Sequence, residues 1–292
     1  MGDVSVVVPV RAPAPYLAEA LASVIGDPLV EEVILVEDGP GAIAEEPAGV
    51  RVVRTVPVGR SRARNRGVEE ARTPLVAFLD ADDVSLPGRF ERQQAALADG
   101  ALCFGRVRTI DAESRELAAA TEDERRRFEA LLARGPSYDS LLVDCPIYTS
   151  ATMVRRDAFL AAGGYDAGLD AYEDLDLYLR LARTARLVPV DGPPIAAHRR
   201  HPGNTASESL YRGSLLVVEK HLPDARGAAR RLLLGRRFDS LWGLGEFAAA
   251  RSSALLAVRS EPRLLGRRRF AYRLAGSLLP VSLLERVRRS RR

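Results

Sequence analysis

The chain has 292 residues, of which 47% are hydrophobic and 28% are charged, and its formal net charge is +4. A chain of this length can bury about 75% of the surface that its unfolded state exposes, so a full core is available. The ordinary globular composition excludes a disordered tail protein, a collagen-like repeat and a small disulfide-stapled domain. The two cysteines, Cys103 and Cys145, favour a reducing compartment or no redox role.

The first half of the chain alternates between segments typical of strands and segments typical of helices. The apolar run 4–10 predicts a strand buried on both faces, and Asp3 and the lack of a small-residue cleavage site argue against a secretory signal. The further predicted strands cover 32–36, 50–54, 75–79 and 102–107, and the predicted helices cover 15–24, 61–71 and 87–98. This order predicts an α/β fold with helices on both faces of a mostly parallel, Rossmann-like sheet.

The second half of the chain has a different order of predicted elements. A charged helix over 122–134 is followed by a strand at 150–154 and a short helix at 157–162. An amphipathic helix begins at Glu173, and from residue 207 onward the sequence is typical of helices alone. No stretch reaches the ~18 uninterrupted apolar residues that a membrane-spanning helix needs, so we expect no membrane span.

Two acidic clusters lie directly after predicted strands. Glu37 and Asp38 end the second strand, and Asp80, Asp82 and Asp83 follow the fourth. In such sheets ligands bind at the carboxyl ends of the strands. Carboxylates one residue apart can aim at one point, which suits Mg²⁺ or Mn²⁺ with phosphate oxygens completing the coordination shell. The alternative is a strand-to-helix turn in which aspartate caps the helix.

Two further groups of charged residues lie at predicted helix starts. Arg60 and Arg64 belong to segment 59–67, where arginines at a helix N-terminus can form an anion site. A solvated basic face is the alternative. Glu173 and Asp174 begin the amphipathic helix as a further acidic cluster. Their position alone favours acids that only complement the helix dipole, and a functional role is the alternative.

The segment AHRRHPGN contains His198 and His201, for which a structural and a functional role both stay open at this point.

The motifs of the chain occur in one order: VSVVVPV, VEDG, GRSRARNRG, AFLDADD, GGYD with EDLDLYLRL, and RRHPGN. This order and spacing strongly resemble the family 2 glycosyltransferases, which have a GT-A fold. The resemblance covers about the first 205 residues.

The resemblance implies two regions. A GT-A catalytic domain is expected over 1–205, with a nucleotide-sugar half at about 1–110 and an acceptor half at about 111–205, and a helical, Arg-rich extension over 206–292. The residues expected to bind a nucleoside-diphosphate sugar are Pro9, Val10, Arg11, Glu37, Asp38, Arg60, Arg64, Asn65, Asp80, Ala81 and Glu173. A UDP-sugar is the expected donor, with GDP- and dTDP-sugars as alternatives.

The same resemblance implies individual roles. Asp38 matches the acid that contacts the nucleotide base. Asp82 matches the direct metal ligand, with Asp80 nearer the ribose and His201 near the metal or diphosphate, so the expected Mg²⁺ or Mn²⁺ site comprises these three residues. Asp174 matches the general base of an inverting single displacement, which takes the proton from an acceptor hydroxyl.

Charge is unevenly distributed along the chain. Residues 225–292 contain seventeen arginines and four acidic residues, whereas residues 1–224 contain 26 basic and 35 acidic residues. Amphipathic cationic helices can lie on an anionic leaflet, so we expect a cytoplasmic protein with peripheral contact to the inner face of the plasma membrane. A helical lid with a solvated arginine face is the alternative.

The acceptor and the reaction class follow from the same resemblance. We expect a glycan, a lipid-linked glycan or a small molecule as acceptor, in the synthesis of a cell-surface glycan, a glycolipid or a glycosylated metabolite. The lack of a QxxRW-like element favours a non-processive enzyme.

Two other functions stay open. A nucleotidyltransferase of related fold needs a Gly-rich, Lys-bearing loop where this chain has RAPAPY. A nucleic-acid-binding protein needs stacking aromatics or a known motif on the basic segment, so nucleic acid is not an expected partner.

Overall fold

The computed structural model describes residues 2–202 and 207–260 of the chain, together with residues 262, 266, 274 and 275. The chain divides into two compact units, Met1–Asn204 and Thr205–Arg292. Among the helices in the described ranges, none combines the length and the apolar character that crossing a bilayer requires.

The first unit contains strands and helices in alternation. Its described strands are β1 (Val4–Val10), β2 (Val30–Asp38), β3 (Val50–Thr55), β4 (Leu75–Phe78), β5 (Val84–Ser85), β6 (Leu102–Phe104), β7 (Val107–Ile110), β8 (Thr152–Arg155), β9 (Leu187–Pro189) and β10 (Ala196–Arg199). Its described helices are α1 (Leu17–Ala22), α2 (Arg60–Glu70), α3 (Arg89–Ala96), α4 (Ala118–Arg134), α5 (Tyr138–Val143), α6 (Arg156–Ala161) and α7 (Glu173–Thr184), with 3₁₀ turns at Leu97–Asp99 and Thr149–Ala151.

Seven strands form the main sheet in the order β3, β2, β1, β4, β8, β6, β9. Neighbouring strands are parallel except at β8, which runs antiparallel to β4 and β6. The mostly parallel α/β sheet predicted from the sequence is therefore confirmed. The β3-β2-β1-β4 half is the arrangement that leaves a ligand crevice at the carboxyl ends of its strands.

Strand β1 is buried on both faces, as its apolar run predicts. Val6 and Val8 belong to the same hydrophobic cluster as Leu17 of α1, because alternate residues of a strand point to one side. Val7 points to the opposite side, where it meets α2 at Gly67. A Cβ atom at Gly67 would lie 2.3 Å from Val7 Cγ1, so only glycine allows this close approach.

The bounds of most predicted elements differ from the structure by one or two residues, and three elements differ more substantially. The strand expected over 102–107 is two strands, β6 and β7, because the chain turns at Gly105 into a second sheet. A Cβ atom at Gly105 would lie 2.5 Å from Ile195 Cδ1, so the turn packs directly on that side chain. The strand expected over 150–154 begins as a 3₁₀ turn, and the helix expected over 122–134 begins one turn earlier, at Ala118.

The second sheet has three strands in the order β5, β10, β7. β10 pairs antiparallel with β5 and parallel with β7. Because β5 directly follows the acidic cluster after β4, the end of β10 is brought beside that cluster. This pairing places the histidine segment next to the predicted metal site.

The second unit is helical in the described residues, as the sequence predicts. Its helices are α8 (Ser207–His221), α9 (Gly227–Leu244) and α10 (Phe247–Ser260). Phe238 and Leu241 of α9 pack with Ala250 and Ala254 of α10 in one core cluster. The arginine clusters at 267–269 and 288–292, on which the expected membrane contact also rests, lie outside the described residues.

Candidate active site

Arg64 connects the acidic cluster after β4 with the start of α7. Its guanidinium donates hydrogen bonds to Asp80 Oδ1 at 2.5 Å and to Glu173 Oε1 at 2.6 Å. The side chain is 4% exposed, and its Cζ atom lies 5.4 Å from the centre of the Tyr165 ring. One buried cation therefore holds two of the sequence-predicted clusters together at the carboxyl edge of the main sheet.

Asp80, Asp82 and Asp83 form a group of carboxylates that can hold a metal ion. One ligand oxygen from each lies within 4.8 Å of the others. Burial raises the pKa of Asp82, and the negative charges of Asp83 and Asp80 raise it further. Burial acts in the same direction on Asp80, but the charge of Arg64 and its hydrogen bond hold the pKa of Asp80 below its ordinary value.

Two histidines of the segment 198–201 lie against this cluster. His201 Nε2 is 2.9 Å from Asp82 Oδ2, and its ring packs at 5.2 Å on that of Tyr16. His198 Nδ1 is 3.2 Å from Asp83 Oδ1. The hydrogen bond to Asp83 and its charge raise the pKa of His198 against the opposing effect of burial. His201 thus joins the cluster through Asp82, and its role as a direct metal ligand stays a prediction.

The donor set fits a hard divalent cation. Carboxylate oxygens are the ligands that Mg²⁺ and Mn²⁺ prefer, and three carboxylates within 4.8 Å of one another carry excess negative charge that a cation would neutralise. Both Asp82 and Asp83 are also oriented by imidazoles, as protein ligands to metals commonly are.

Asp174 lies in the first turn of α7, beside the residue that Arg64 binds. It is half-buried, and its Oδ1 accepts a hydrogen bond from the backbone N–H of Leu175 at 2.7 Å. Burial and the adjacent charge of Glu173 raise the pKa of Asp174 to about 7, and the charge of Asp80 contributes in the same direction. A carboxyl group with this pKa can accept a proton near neutral pH.

The backbone before α7 is held in an unusual conformation. Tyr172, the residue that precedes the helix, has φ 60° and ψ 18°, in the left-handed region that non-glycine residues rarely adopt. Such residues persist only where the surroundings fix them, and they concentrate at functional sites.

Asn65, the neighbour of Arg64, binds the turn before α7. Its Oδ1 accepts the backbone N–H of Tyr165 at 2.8 Å, and its Nδ2 donates to the carbonyl of Tyr165 at 2.8 Å. A Cβ atom at Gly164, whose φ is +65°, would lie 2.7 Å from Asn65 Oδ1. Both polar groups of the amide are thus bonded to protein, so in this structure Asn65 ties α2 to the GGYD turn.

The acids that end β2 shape the loops at the same sheet edge. Asp38 accepts backbone N–H groups of Val58 at 2.6 Å and of Gly59 at 3.1 Å, which fixes the entry to α2. Glu37 accepts the N–H groups of residues 42 and 43, each at 3.0 Å, and is also paired with Arg54 at 3.3 Å.

The remaining predicted donor-site residues are distributed around this edge. Pro9 and Val10 end β1 opposite Val36 and Glu37, and Arg11 follows them as an exposed residue. Ala81 packs partly buried against the main core. Arg60 is exposed at the start of α2, close enough to lower the pKa of Asp80 by its charge.

Sequence reasoning missed Arg199 as a site residue. Its Nε donates to the carbonyl of Asp82 at 2.8 Å, and its backbone N–H donates to Asp83 Oδ1 at 2.9 Å. The side chain is fully buried, with Nη2 donating to Glu19 Oε2 at 2.7 Å and Cζ 4.4 Å from the centre of the Tyr16 ring. Its place beside two histidines in HRRH is the one sequence signal for it.

Comparisons with known proteins identify the family of the chain. Residues 5–160 match the profile described as "Glycosyl transferase family 2". The "Pre-mycofactocin glycosyltransferase" of Mycobacterium tuberculosis is 27% identical over 241 residues, which cover 76% of this chain and 48% of that protein. The "Succinoglycan biosynthesis protein ExoU" of Rhizobium meliloti is 30% identical over 263 residues, which cover 78% of this chain and 74% of that protein.

A third relative, the "Uncharacterized glycosyltransferase EpsJ" of Bacillus subtilis, is 36% identical over 98 residues. This alignment covers 30% of the chain and 28% of that protein. The chain therefore spans about half or less of the length of two of these curated relatives, 28% of EpsJ and 48% of the mycobacterial protein.

The fold has counterparts among solved structures. S. aureus TarS 1-349 in complex with UDP-GlcNAc superimposes with a TM-score of 0.63 at 15% identity, covering 99% of this chain and 92% of that one. The complex of the same protein with UDP gives a TM-score of 0.61 at 14% identity. The predicted GT-A fold is thereby confirmed, and with more than half of its length matched by the family profile, the chain belongs to glycosyl transferase family 2.

Proposed function

We propose that this protein is an inverting, non-processive glycosyltransferase that moves a sugar from a nucleoside-diphosphate sugar to an acceptor hydroxyl. The observation that carries the proposal is the Arg64 bridge, which brings the carboxylates after β4 beside the first turn of α7. The two sets of carboxylates lie in different environments, one after β4 and one at the start of α7. This arrangement suits a reaction that needs one group at the leaving diphosphate and another at the attacking hydroxyl.

Asp174 is the proposed base. As the acceptor oxygen attacks the anomeric carbon, its proton passes to the Asp174 carboxylate, and the bond from that carbon to the diphosphate oxygen breaks with its electron pair on the diphosphate. Attack from the face opposite the leaving group inverts the anomeric configuration. Base catalysis of this kind contributes about 10²- to 10⁴-fold, and its efficiency is greatest when the pKa lies near the working pH.

Asp80, Asp82 and Asp83 are the residues proposed to hold Mg²⁺ or Mn²⁺. When bound, the cation supplies positive charge for the diphosphate leaving group. The contacts of His201 with Asp82 and of His198 with Asp83 support this assignment, because they fix the orientation of both carboxylates.

The proposed donor is a UDP-sugar, and the proposed product is part of a cell-surface glycan. TarS has been solved in complex with UDP-GlcNAc and with UDP. The names of ExoU and of the "Amylovoran biosynthesis glycosyltransferase AmsE" of Erwinia amylovora refer to polysaccharide synthesis. We further propose a cytoplasmic location with the basic second unit against the inner leaflet, where a lipid-linked acceptor is accessible.

A thermal-shift panel tests the donor and the metal together. Melting is followed with UDP, GDP, dTDP and CDP, each with and without Mn²⁺. Binding to the folded state raises the melting temperature, so we expect a metal-dependent rise with UDP that exceeds the rise with the other nucleotides. No response to any of the four nucleotides would contradict the proposal.

A further inference from the structure

A cavity of about 490 Å³ lies in the first unit, away from the carboxylate cluster. It is lined by Arg106 and Arg108 around the start of β7, by Leu86 directly after β5, and by Pro193 and Pro194 shortly before β10. The carboxylate cluster lies at the opposite end of this sheet, where β5 begins and β10 ends. Among the described residues, none that we assign to the transferase site lines the cavity.

The two arginines of the β7 segment lack a protein anion. The Nε atoms of Arg106 and Arg108 are buried without a hydrogen-bond partner, and neither guanidinium has a carboxylate in salt-bridge distance within the described ranges. Arg64 and Arg199, the most deeply placed arginines of the active site, are each bonded to carboxylates. Both side chains are partly exposed, and Arg106 Cζ also lies 5.8 Å from the centre of the Phe128 ring. A buried guanidinium N–H without a hydrogen-bond acceptor has lost hydration that an anion would replace.

The rest of the lining determines what kind of anion fits. Arg125 also faces the cavity, but Glu122 and Glu129 bind it, and Glu116 is an exposed acid at the margin. Leu86 and the neighbouring prolines add apolar wall. A volume of this size is in the range of small-molecule sites, which combine apolar walls with a few charged groups.

We propose that this cavity binds an organic phosphate with an apolar body, whose phosphate contacts Arg106 and Arg108 while its hydrocarbon part lies against Leu86 and the prolines. Paired guanidinium groups are the usual protein partners of phosphate oxygens. The site is separate from the donor site, and the proposal does not depend on the transferase activity.

Calorimetry on the full chain with octyl phosphate tests the proposal. We expect one saturable site in the wild type and no binding of the uncharged octyl glucoside. Arg106→Gln combined with Arg108→Gln should weaken octyl phosphate binding by about tenfold or more, because charged hydrogen bonds are lost. Arg126→Gln is the matched control, since Arg126 is an exposed arginine of α4 that pairs with Asp123 and does not line the cavity.

The outcomes separate this site from the donor site. The double variant should keep its UDP-dependent melting shift with Mn²⁺, which also shows that it is folded, and Arg108→Lys should keep part of the octyl phosphate affinity. Unchanged octyl phosphate affinity in the double variant, equal binding of octyl glucoside, or no saturable binding in the wild type would overturn the proposal.

Vesicles distinguish the two sources of an apolar phosphate. If the ligand is a lipid headgroup, the double variant should bind phosphatidic acid vesicles more weakly than the Arg126→Gln control does. If the ligand is a soluble phosphate ester, both variants should bind the vesicles equally, while the loss of octyl phosphate affinity remains confined to the double variant.

Discussion

Arg64 places one positive charge between two carboxylates that the sequence separates by more than ninety positions, Asp80 and Glu173. Both carboxylates lie at the edge of the main sheet where we propose that the donor and the acceptor meet. Removing the guanidinium leaves Glu173, which is 4% exposed, as a buried acid without this cation.

We expect Arg64→Met to lower the free energy of unfolding by about 3–5 kcal/mol, because breaking a buried pair leaves an uncompensated charge. Arg66→Met is the control on the same helix, since Arg66 forms exposed pairs with Glu69 and Glu70 that contribute at most about 1 kcal/mol. Urea unfolding measures both variants. Equal losses in the two would show that Arg64 does not have this structural role.

Asp174 should give the transfer reaction an acidic limb. A base acts only when ionised, and burial with the charge of Glu173 raises the pKa of Asp174 to about 7. The value of kcat/KM should therefore rise with pH and level off above about pH 7. A profile that is flat from about pH 5 to about pH 8 would contradict the assignment of Asp174 as the base.

The raised pKa of Asp174 also makes the stability of the fold depend on pH. The direction is opposite to that of a salt-bridged acid, whose pKa is lowered by folding. Because the pKa of Asp174 is higher in the folded state than in the unfolded state, its ionisation destabilises the fold progressively as pH rises towards about 7. The melting temperature of Asp174→Asn should therefore exceed that of the wild type by more at about pH 8 than at about pH 5.

At the scale of secondary-structure elements, the site depends on how closely α2 approaches the sheet. Gly67 allows the contact, since a Cβ atom there would lie 2.3 Å from Val7 Cγ1 and 3.2 Å from Val36 Cγ2. This approach brings the N-terminal half of α2, with Arg64, over the carboxyl edge of the sheet.

We expect Gly67→Ala to cost about 1–3 kcal/mol of unfolding free energy, because the added methyl group overpacks a full core. Gly235→Ala in α9 is the control, since a Cβ atom there meets nothing within 4 Å and alanine favours a helix interior over glycine by about 0.5–1 kcal/mol. Thermal melts of the two variants should shift in opposite directions. A stabilised Gly67→Ala variant would contradict the packing described above.

The elements that the sequence predicts well are those whose pattern is local. The β-branched run 4–10 and the strand over 50–54 were located by residue type alone, with bounds that differ little from β1 and β3. The turn at Gly105 was missed because it depends on Ile195, which comes from a distant segment. The reversed direction of β8 was missed because a side-chain pattern does not encode strand direction.

The candidate site shows the same division. Asp80, Asp82 and Asp174 were singled out because their motifs resemble those of the family, whereas their positions at a strand end and a helix start alone left a purely structural role open. Arg199 was missed, since its contacts with the carbonyl of Asp82 and the carboxylate of Asp83 exist only through the pairing of β10 with β5.

At the scale of the whole molecule, positive charge is concentrated in the C-terminal part of the chain. Residues 225–292 contain seventeen arginines and four acidic residues. In α10, Leu255 and Leu256 are 50% and 51% exposed, and the exposed Arg259 follows one turn later. Exposed leucines beside arginines match the chemistry of an anionic lipid surface.

We expect the full chain to sediment with phosphatidylglycerol vesicles and not with neutral phosphatidylcholine vesicles. Each base near the surface contributes about 1 kcal/mol, and salt screens that attraction, so added salt should release the protein. Equal sedimentation with both kinds of vesicle, or binding that salt does not weaken, would contradict the proposed leaflet contact.

The central claim is that one site divides its work between the carboxylates after β4, which bind the donor, and Asp174, which activates the acceptor. The most direct measurement compares Asp82→Asn with Asp174→Asn in two assays, Mn²⁺-dependent affinity for UDP by calorimetry and sugar transfer from the UDP-sugar. Asp82→Asn should lose the metal-dependent affinity. Asp174→Asn should bind UDP as the wild type does and transfer sugar about 10²- to 10⁴-fold more slowly. Retained turnover in Asp174→Asn, or unchanged metal-dependent affinity in Asp82→Asn, would contradict the account.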